Sequence, residues 1–460
     1  MATQVAVGFQ QVAGFKLSTL PWGGKATVLG AGDGMEFLTD SLDANVTLLQ
    51  NEQNSGSSQR LPGDKGSEIH SGALAANLYY RGLERMIASV FNTAGVPTNI
   101  EAGAEHHVFK LNETHLGRYG TLATDAAPAI REWPAVKIAG MTIEVTEDSI
   151  ATIEFTLTPF GLNLNRGVAD PDKVVVSIEP VDGAMTIAAQ PDRPSPITIL
   201  VTDSDVSITE YIVTIVGTNR DGRVVTEVYT LSADGLTFET VEFFKTVTTV
   251  TASGLAGTAT GDTIVVGVNN GFNNDTTMAT VTLPTERDFA LFSDLKVWAN
   301  GQDEGALGTA DANQLFLKTW RLTIELNTPP NVTTRFGNKT DEPSVDGFVN
   351  ITVGLSFSEW TNENMFIFDN RLAIDEMKMR ARLLGPLIGA TATPHKIDFY
   401  LNNLQLNSGS PQTGGPGRIP VDYEMQAARA LVVPTGFPAG YTDAVTMEMD
   451  NSLATDPLVP

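Results

Sequence analysis

The chain has 460 residues, of which 42% are hydrophobic and 18% are charged, a composition that excludes wholesale disorder and a coiled-coil rod. Its 54 acidic residues against 29 basic ones give a net charge of −25, a field that repels nucleic acids and anionic lipid headgroups. The lack of cysteine excludes disulfides, thiolate catalysis and cysteine-based metal centres.

The opening residues, MATQVAVGFQQVAGF, carry no sign of export. They have no basic region and no continuous apolar run, so we expect no secretory signal. No stretch approaches about 18 uninterrupted apolar residues, the length at which a membrane-spanning helix becomes a candidate. We therefore expect a soluble protein that is made in a cytoplasm.

Period-two alternation dominates the first part of the chain. Between Leu38 and Leu48 apolar residues largely alternate with polar ones, which predicts a β-strand with one wet face. A long polar loop, Asn51–Ser67, follows. A β-hairpin is predicted later, from Met141–Val145 and Ile153–Leu157.

Helical spacing replaces the alternation at one place between that loop and the hairpin. Hydrophobic residues recur there at intervals of three and four and stop before Gly95, which predicts an amphipathic helix. Its apolar face consists of Leu83, Met86, Ile87, Val90 and Phe91.

The middle of the chain, from about Pro171 to Pro284, has no helical period. It contains six strand-like runs separated by turn signals, at a spacing that predicts an immunoglobulin-like β-sandwich. The predicted organisation is three domains, residues 1–168, 169–284 and 285–460. The six runs are Val174–Ile178, Ile197–Val201, Tyr211–Val216, Val224–Leu231, Thr246–Ala252 and Thr263–Val268.

The last part of the chain repeats the first in the order of its elements. Strand, long loop, strand, helix and hairpin occur in both, which indicates an internal duplication. The second set comprises the strand Phe316–Leu326, the loop Asn327–Gly347, the strand Val349–Phe357, a weaker helix from about Leu372 to Leu384, and the hairpin Lys396–Leu406 with Arg418–Ala427.

This arrangement resembles the tail tube (major tail) protein of long-tailed bacteriophages, in a duplicated form with an immunoglobulin-like domain inserted between the copies. The resemblance rests on the alternating strands, the two long loops and the Leu83–Phe91 helix. It implies a mainly β fold of two antiparallel tail-tube domains, each with a flanking helix. In that family four main strands of each tube domain join those of neighbouring subunits in a closed barrel around the DNA channel. The helix lies outside the barrel, and the long loop reaches the adjacent ring.

The resemblance also implies a function: a structural virion protein without enzymatic activity or cofactor. Single-copy subunits of this family commonly close as hexamers, so a duplicated chain is expected to form homotrimeric rings that stack into the tail tube. The expected partners are further copies of the chain, the tape measure protein, and tail terminator or distal tail proteins. DNA is expected to pass through the lumen without specific binding. The protein would assemble in the host cytoplasm, contact no membrane and reside in the virion tail, with the insert projecting outward.

Acidic residues on the wet faces of the predicted barrel strands are candidates for the channel lining. Negative charge there would keep DNA from adhering to the wall, because even a few basic contacts add affinity. The lumen candidates are Asp43, Glu144, Glu154, Glu325, Asp422 and Glu424.

The two long loops are candidates for contact between rings, since loops beyond about 12–15 residues are usually functional or disordered. Both carry basic residues in an acidic protein, so we expect them to meet the acid-rich rim of the next ring. Hydrophobic side chains would supply more of the affinity than exposed charges. The candidates are Asn51, Arg60, Leu61 and Lys65 in the first loop and Val332, Arg335, Phe336 and Lys339 in the second.

Two other classes of protein stay open from the sequence. One is a surface-layer or adhesin-like chain of β-domains, and the other is a carbohydrate-active enzyme. Paired carboxylates are abundant among 54 acids, so their spacing nominates no catalytic pair. Both classes normally need a signal peptide, whose absence favours assembly inside a cytoplasm.

Metal sites find little support in the sequence. His106 and His107 are adjacent on an apparent strand, so their side chains point to opposite faces and cannot chelate one ion. The segment Thr202-Asp203-Ser204-Asp205 begins like a calcium loop. It lacks the later glycine and bidentate glutamate, and we interpret it as a hairpin turn. No cofactor is expected.

Overall fold

The computed structural model describes most of the chain. The described residues are 12–49, 64–93, 97–112, 118–125, 130–164, 170–191, 194–219, 222–232, 237–257, 260–269, 277–286, 288–308, 314–329, 342–373, 375–412 and 417–459. The protein is mainly β, as predicted, with 27 strands and two α-helices in these residues. None of the helices within these ranges has the length and apolarity needed to cross a bilayer.

The elements fall into three groups along the chain. The first contains β1 (Val12–Leu17), β2 (Gly34–Met35), β3 (Thr39–Asp40), β4 (Asp43–Leu49), β5 (Asp64–Asn77), α1 (Glu84–Phe91), β6 (Thr98–Glu101), β7 (Ala104–Lys110), β8 (Gly120–Asp125), β9 (Ile130–Thr146), β10 (Thr152–Phe160) and β11 (Asn163–Leu164). The second contains β12 (Asp170–Ile178), β13 (Gly183–Met185), β14 (Ile197–Thr202), β15 (Glu210–Asn219), β16 (Val224–Ser232), β17 (Thr237–Glu239), β18 (Phe244–Ala256) and β19 (Thr263–Val268). The third contains β20 (Leu295–Gly301), β21 (Gln314–Leu315), β22 (Thr319–Glu325), β23 (Asn350–Phe357), α2 (Met365–Ala373), β24 (Met377–Leu387), β25 (Pro394–Ser408), β26 (Val421–Ala428) and β27 (Val445–Asn451).

The first and third groups share one pattern of antiparallel strand pairing. In the first group β1 pairs with β2 and β8, β8 with β9, β9 with β10, β10 with β5, and β5 with β3 and β4. In the third group β20 pairs with β21 and β24, β24 with β25, β25 with β26, β26 with β23, and β23 with β22. The repetition predicted from element order is therefore also a repetition of pairing.

Two further pairings join the copies: β27 of the third group pairs with β7 of the first, and a second pairing links their central strands. Strand β9 of the first copy pairs with β22 of the second over seven residue pairs, from Thr146↔Thr319 to Gly140↔Glu325. The result is one continuous sheet, which we call the central sheet, in the order β3/β4-β5-β10-β9-β22-β23-β26-β25, with β3 and β4 counted as one interrupted strand. Each copy contributes four strands to it.

The hydrophobic core lies against one face of the central sheet and runs through both copies. Alternate residues face it, as in Ile143 and Val145 of β9 and Leu322 and Ile324 of β22, all fully buried. Helix α1 belongs to the same core and contacts β1, β7 and β9, while α2 contacts β25. Burying each such side chain contributes about 1.5–3 kcal/mol.

The inserted strands form a separate sandwich. Two four-stranded sheets, β12-β19-β14-β17 and β13-β18-β15-β16, enclose a core of their own. All six predicted runs are strands, and two short strands, β13 and β17, complete the sheets. The sandwich touches the first copy at Lys25, whose Nζ lies 3.3 Å from Glu239 Oε2 and whose backbone N–H donates to the carbonyl of Val241.

The second helix was predicted in the wrong place. Most of the predicted span, Leu372–Leu384, belongs to strand β24, and α2 lies just before it at Met365–Ala373. Helix α2 therefore begins seven residues (358–364) after β23, much as α1 begins six residues (78–83) after β5. The correction makes the two copies more alike than the sequence indicated.

The error arose because the same residues satisfy both the helical and the strand periodicity. Residues four apart, such as Met377 and Ala381, share a face in a helix and also in a strand. Burial decides between the two: Leu384, predicted on the apolar helical face, is 46% exposed. The buried apolar residues are the alternate ones, Met377, Met379, Ala381 and Leu383.

Two smaller corrections concern the first strand and its loop. The predicted strand Leu38–Leu48 is broken into β3 and β4 at Ser41-Leu42, where the Leu42 N–H donates to Asp40 Oδ1. The last four residues of the predicted loop Asn51–Ser67 already belong to strand β5. Because β10 pairs only with residues 72–77 of β5, β4 and residues 64–71 extend beyond it as a two-stranded arm.

Candidate assembly surfaces

The uncovered face of the central sheet gathers the acidic residues proposed for the channel. Transverse rows of paired residues run across the copies, and one of them is Thr152, Glu144, Arg321, Gly354 and Glu424. The neighbouring rows place Glu154 next to Thr142, and Asp422 next to Ser356. All six lumen candidates, Asp43, Glu144, Glu154, Glu325, Asp422 and Glu424, occupy this side, which we call the acidic face.

The exposure of the acidic side chains agrees with the face on which strand pairing places them. Every member of the acidic face is exposed except Glu424, which is half-buried, and the residues between them in each strand are buried. The face carries one basic residue within the rows, Arg321, whose side chain lies over Gly354. The remaining positions are mostly threonine, which suits strands, with serine, asparagine and glutamine, whose polar groups hydrogen-bond to water.

Four of the six acidic residues recur at equivalent positions of the two copies. Glu154 follows the buried Ile153 in β10, and Glu424 follows the buried Tyr423 in β26. In the edge strands, Asp43 pairs with Ser71 of β5, and Glu325 pairs with Asn350 of β23. Asp422, opposite Ser356, corresponds to the uncharged Thr152, opposite Asn77, so the charge pattern of this face is duplicated only in part.

The central sheet ends in two edges. At one end β3 and β4 pair only with β5 among the described residues. At the other end β25 pairs with β24 as far as Leu404, and within the described chain its last residues pair only with β26. An unpaired edge of this kind is a template for another strand.

Both long loops leave the central sheet at the same rim. Strands β4 and β22 run parallel, because four successive antiparallel pairings separate them, and each leads into its loop. The loop candidates Asn51, Arg60, Leu61, Val332, Arg335, Phe336 and Lys339 lie outside the described residues. The backbone of Lys65 is part of β5.

The ends of the second loop are anchored to the first copy. Lys137 of β9 is 2% exposed, and its Nζ donates to Glu342 Oε1 at 2.7 Å and to the carbonyl of Pro343 at 2.5 Å. The Asp346 N–H donates to the carbonyl of Asn327, which closes the loop at its base. Sequence reasoning missed Lys137 because its partners lie about two hundred residues away.

An acidic cavity flanks the opposite rim. It measures about 850 Å³ and is bordered by α2 and by the loop after β20. Lys378, fully buried, holds that loop by donating to the carbonyls of Gln302, Glu304 and Thr435 at 2.6–3.0 Å. The acidic residues in its wall are Asp303, Glu304, Glu363, Asp375 and Glu376, beside the exposed ring of Phe316.

The predicted amphipathic helix is α1, and it is buried on nearly all sides. Leu83 immediately precedes the helix, and Met86, Ile87, Val90 and Phe91 lie within it, all at most 2% exposed. Glu84 is also buried, and it accepts hydrogen bonds from the Gly82 N–H at 2.7 Å and from Asn451 Nδ2 at 2.8 Å. Within one chain the helix is therefore interior rather than superficial.

Buried charged residues connect β24, β25 and β27. The Asp398 carboxylate is fully buried and accepts hydrogen bonds from the guanidinium groups of Arg380 and Arg382. On the same strand Lys396 contacts Glu448 at 3.3 Å and Asp450 at 2.9 Å. The sequence does contain a sign of this network, because the basic residues Lys378, Arg380 and Arg382 alternate as they would on one face of a strand. The helix predicted for this segment places Arg380 on a different face from the other two.

His106 and His107 lie on opposite sides of β7, as predicted. His106 Nδ1 is 2.5 Å from Asp450 Oδ1, whereas His107 Nε2 is 2.9 Å from the carbonyl of Leu453. The two imidazoles cannot share an ion.

Two buried histidines should make stability depend on pH. His107 is 2% exposed, and His395 is fully buried and stacks on Tyr80 with ring centroids 5.4 Å apart. Burial lowers the pKa of both imidazoles below the ordinary value. The unfolded chain therefore takes up protons more readily, so stability present above about pH 6.5 is lost as the pH falls below it.

We expect the midpoint of thermal unfolding to fall less between about pH 7.5 and 5.5 for His395→Phe than for the unaltered chain. Phenylalanine keeps a ring against Tyr80 and cannot be protonated. Scanning calorimetry of both proteins at both pH values measures the two falls. The contributions of the other titrating groups are common to both proteins and cancel when one fall is subtracted from the other. Equal falls would contradict the expectation.

Comparison with known proteins assigns no family to the chain. No model of a protein family matches it, and no curated protein sequence matches it.

Proposed function

We propose that the chain is a tail tube subunit, a structural virion protein whose stacked rings form the channel for DNA delivery. The observation that carries the proposal is the central sheet. Two copies of one pairing pattern share it, one face is buried, and the other is polar and acidic. Such a sheet suits the wall of a water-filled channel, because inward and outward residues alternate along every strand of a barrel.

The junction between the copies is a template for the contact between chains. Inside one chain β9 pairs with β22. In the pairing pattern that the copies share, β25 corresponds to β9, and the pair β3 and β4 corresponds to β22. These strands form the two edges of the central sheet. Pairing the β25 edge of one chain with the β3–β4 edge of the next would repeat the junction and leave no edge exposed.

The number of strands fits a trimeric ring. Three chains with eight central strands each supply 3 × 8 = 24 strands. With about 4.8 Å between strands and a tilt of about 40°, such a wall is about 45–50 Å across. Its bore would exceed the width of a DNA duplex, and the acidic face would line it.

Charge favours stacking of rings rim to rim. The sequences of the two long loops, whose preceding strands end at one rim, contain Arg60, Lys65, Arg335 and Lys339, and the acidic cavity flanks the other rim. Opposite charges would fix the orientation of successive rings, and the exposed Phe316 beside the cavity offers apolar surface for the loops. The sandwich, with a core of its own, would project outward.

The remaining assignments depend on this role. The chain's partners would be further copies of itself, the tape measure protein, and tail terminator or distal tail proteins. It would be located in the virion tail after assembly in the host cytoplasm, and DNA would pass through the lumen without specific binding. No catalysis is proposed.

Engineered disulfides can test the ring contact, since the chain has no cysteine. Thr142 and Thr323 face each other across the internal junction, with Oγ1 atoms 3.3 Å apart. Their equivalents at the two edges are Ser408, opposite Glu424, and Ser41, opposite Ala73. We expect oxidised Ser41→Cys/Ser408→Cys protein to link into covalent trimers on a non-reducing gel, and negative-stain images to show stacked rings.

The variant Thr142→Cys/Thr323→Cys is the matched control. It places the same pair inside one chain, so its disulfide should leave the mass unchanged. Failure of the edge pair to cross-link under conditions that oxidise the control, or a covalent ring of six chains, would contradict the proposed trimer.

A further inference from the structure

Three aspartates meet at one end of the sandwich. Asp203 and Asp205 lie in the connection from β14 to β15, and Asp262 immediately precedes β19. One carboxylate oxygen of each lies within 4.8 Å of the others. The connection joins the two sheets, because β14 and β15 belong to different ones, so the predicted hairpin turn is wrong.

The position of this cluster is set by strand register. Thr202 pairs with Thr263 at the cluster end of β14, whereas Ile197 pairs with Val268 at the other end. Asp170 also pairs with Val268. The cluster therefore lies at the end of the sandwich opposite the one where the chain enters and leaves it.

Asp262 provides the second observation. It is 2% exposed, and its Oδ1 accepts hydrogen bonds from the Ser204 N–H at 2.7 Å and the Ser204 hydroxyl at 2.8 Å. Its Oδ2 is also buried but has no hydrogen-bond partner among the described residues. A buried carboxylate oxygen without a partner is costly, and nearby carboxylates raise that cost.

Lysine and arginine side chains of the described residues do not neutralise Asp203 or Asp262. Among the described residues no lysine or arginine forms an ion pair with Asp203 or Asp262. The turn itself is well ordered by hydrogen bonds, since Asp203 accepts from the Ser207 N–H at 3.2 Å and the Ile208 N–H at 2.9 Å. The carboxylates are thus held together although they repel.

We infer that Asp203, Asp205 and Asp262 form a calcium site. Calcium prefers oxygen ligands, and it accepts six to eight of them in irregular arrangements that carboxylates and water can fill together. The ion supplies the positive charge that the buried Oδ2 of Asp262 lacks. It joins the connection between the two sheets to the start of β19, and this role is independent of the proposed function in a tail tube.

Isothermal titration of the full chain with CaCl2, after dialysis against chelator and then chelator-free buffer, tests the site. We expect one ion per chain and a higher midpoint of thermal unfolding with calcium than with chelator. Asp262→Asn should weaken binding at least tenfold. Asp205→Asn, at an exposed position, should also weaken it without disturbing the sandwich interior.

Asp172→Asn is the matched control, because it removes one exposed charge from the other end of the same sandwich, near Asp170. It should bind calcium as the unaltered chain does. Absence of a calcium signal, binding that survives both aspartate variants, or equal affinity for MgCl2 would each overturn the assignment.

Discussion

Replacing Asp398 by alanine is expected to lower the free energy of unfolding by about 3 kcal/mol. Burial raises the pKa of its carboxyl to about 6, so the group is ionised at pH 7. Its loss leaves the guanidinium groups of Arg380 and Arg382 without their shared partner. Breaking a buried pair costs about 3–5 kcal/mol, and the lower value applies because both guanidiniums keep some contact with water.

Urea unfolding of Asp398→Ala beside Glu359→Ala gives the measurement and its control. Glu359 faces Arg418 at 3.5 Å with both side chains well exposed, so losing that pair should cost only about 0–1 kcal/mol. Equal losses in the two variants would mean that the buried network does not stabilise the fold.

Reversing the charge of the acidic face should create DNA binding, which we do not expect of the unaltered chain. The five changes Glu144→Lys, Glu154→Lys, Glu325→Lys, Asp422→Lys and Glu424→Lys, with Arg321 retained, place six basic groups on one surface. We expect binding whose affinity falls roughly 10³-fold between 50 and 200 mM salt, since about six phosphate contacts release that many counterions. Fluorescence anisotropy with labelled duplex DNA measures it.

The control carries the same number of lysines away from the acidic face, at the exposed positions Glu147, Asp172, Glu179, Glu210 and Glu363. Both variants change the net charge from −25 to −25 + 10 = −15. Equal DNA binding by the two would show that overall charge matters and that the acidic face has no special part.

Strand alternation made much of the fold predictable. Where one face is buried and the other is wet, the sequence alternates. The structure confirms strands at all six runs of the insert and a shorter strand, Thr319–Glu325, within the predicted Phe316–Leu326. The prediction failed at Leu372–Leu384, where residues four apart suit a helix and a strand equally. Pairing partners decided that case, because β24 lies between β20 and β25.

The residues of the candidate sites were likewise predictable only where the signal lies within a single strand. Alternation within single strands was enough to select the residues that the sheet then gathers on its acidic face. It could not reveal that Lys137 meets Glu342, or that Asp262 completes a cluster with Asp203, because register over long sequence distances brings those residues together. Such contacts have no local signature.

The internal junction between β9 and β22 has a consequence for the kinetics of assembly. A ring of six separate domains needs five encounters in solution and one closure, whereas a ring of three such chains needs two encounters and one closure, since three of its six contacts are internal, one in each chain, and form at any dilution. The equilibrium yield of rings would then rise with the third power of the free-chain concentration instead of the sixth. Rings of this chain should consequently appear over a broader and lower range of concentration, and few half-built species should accumulate.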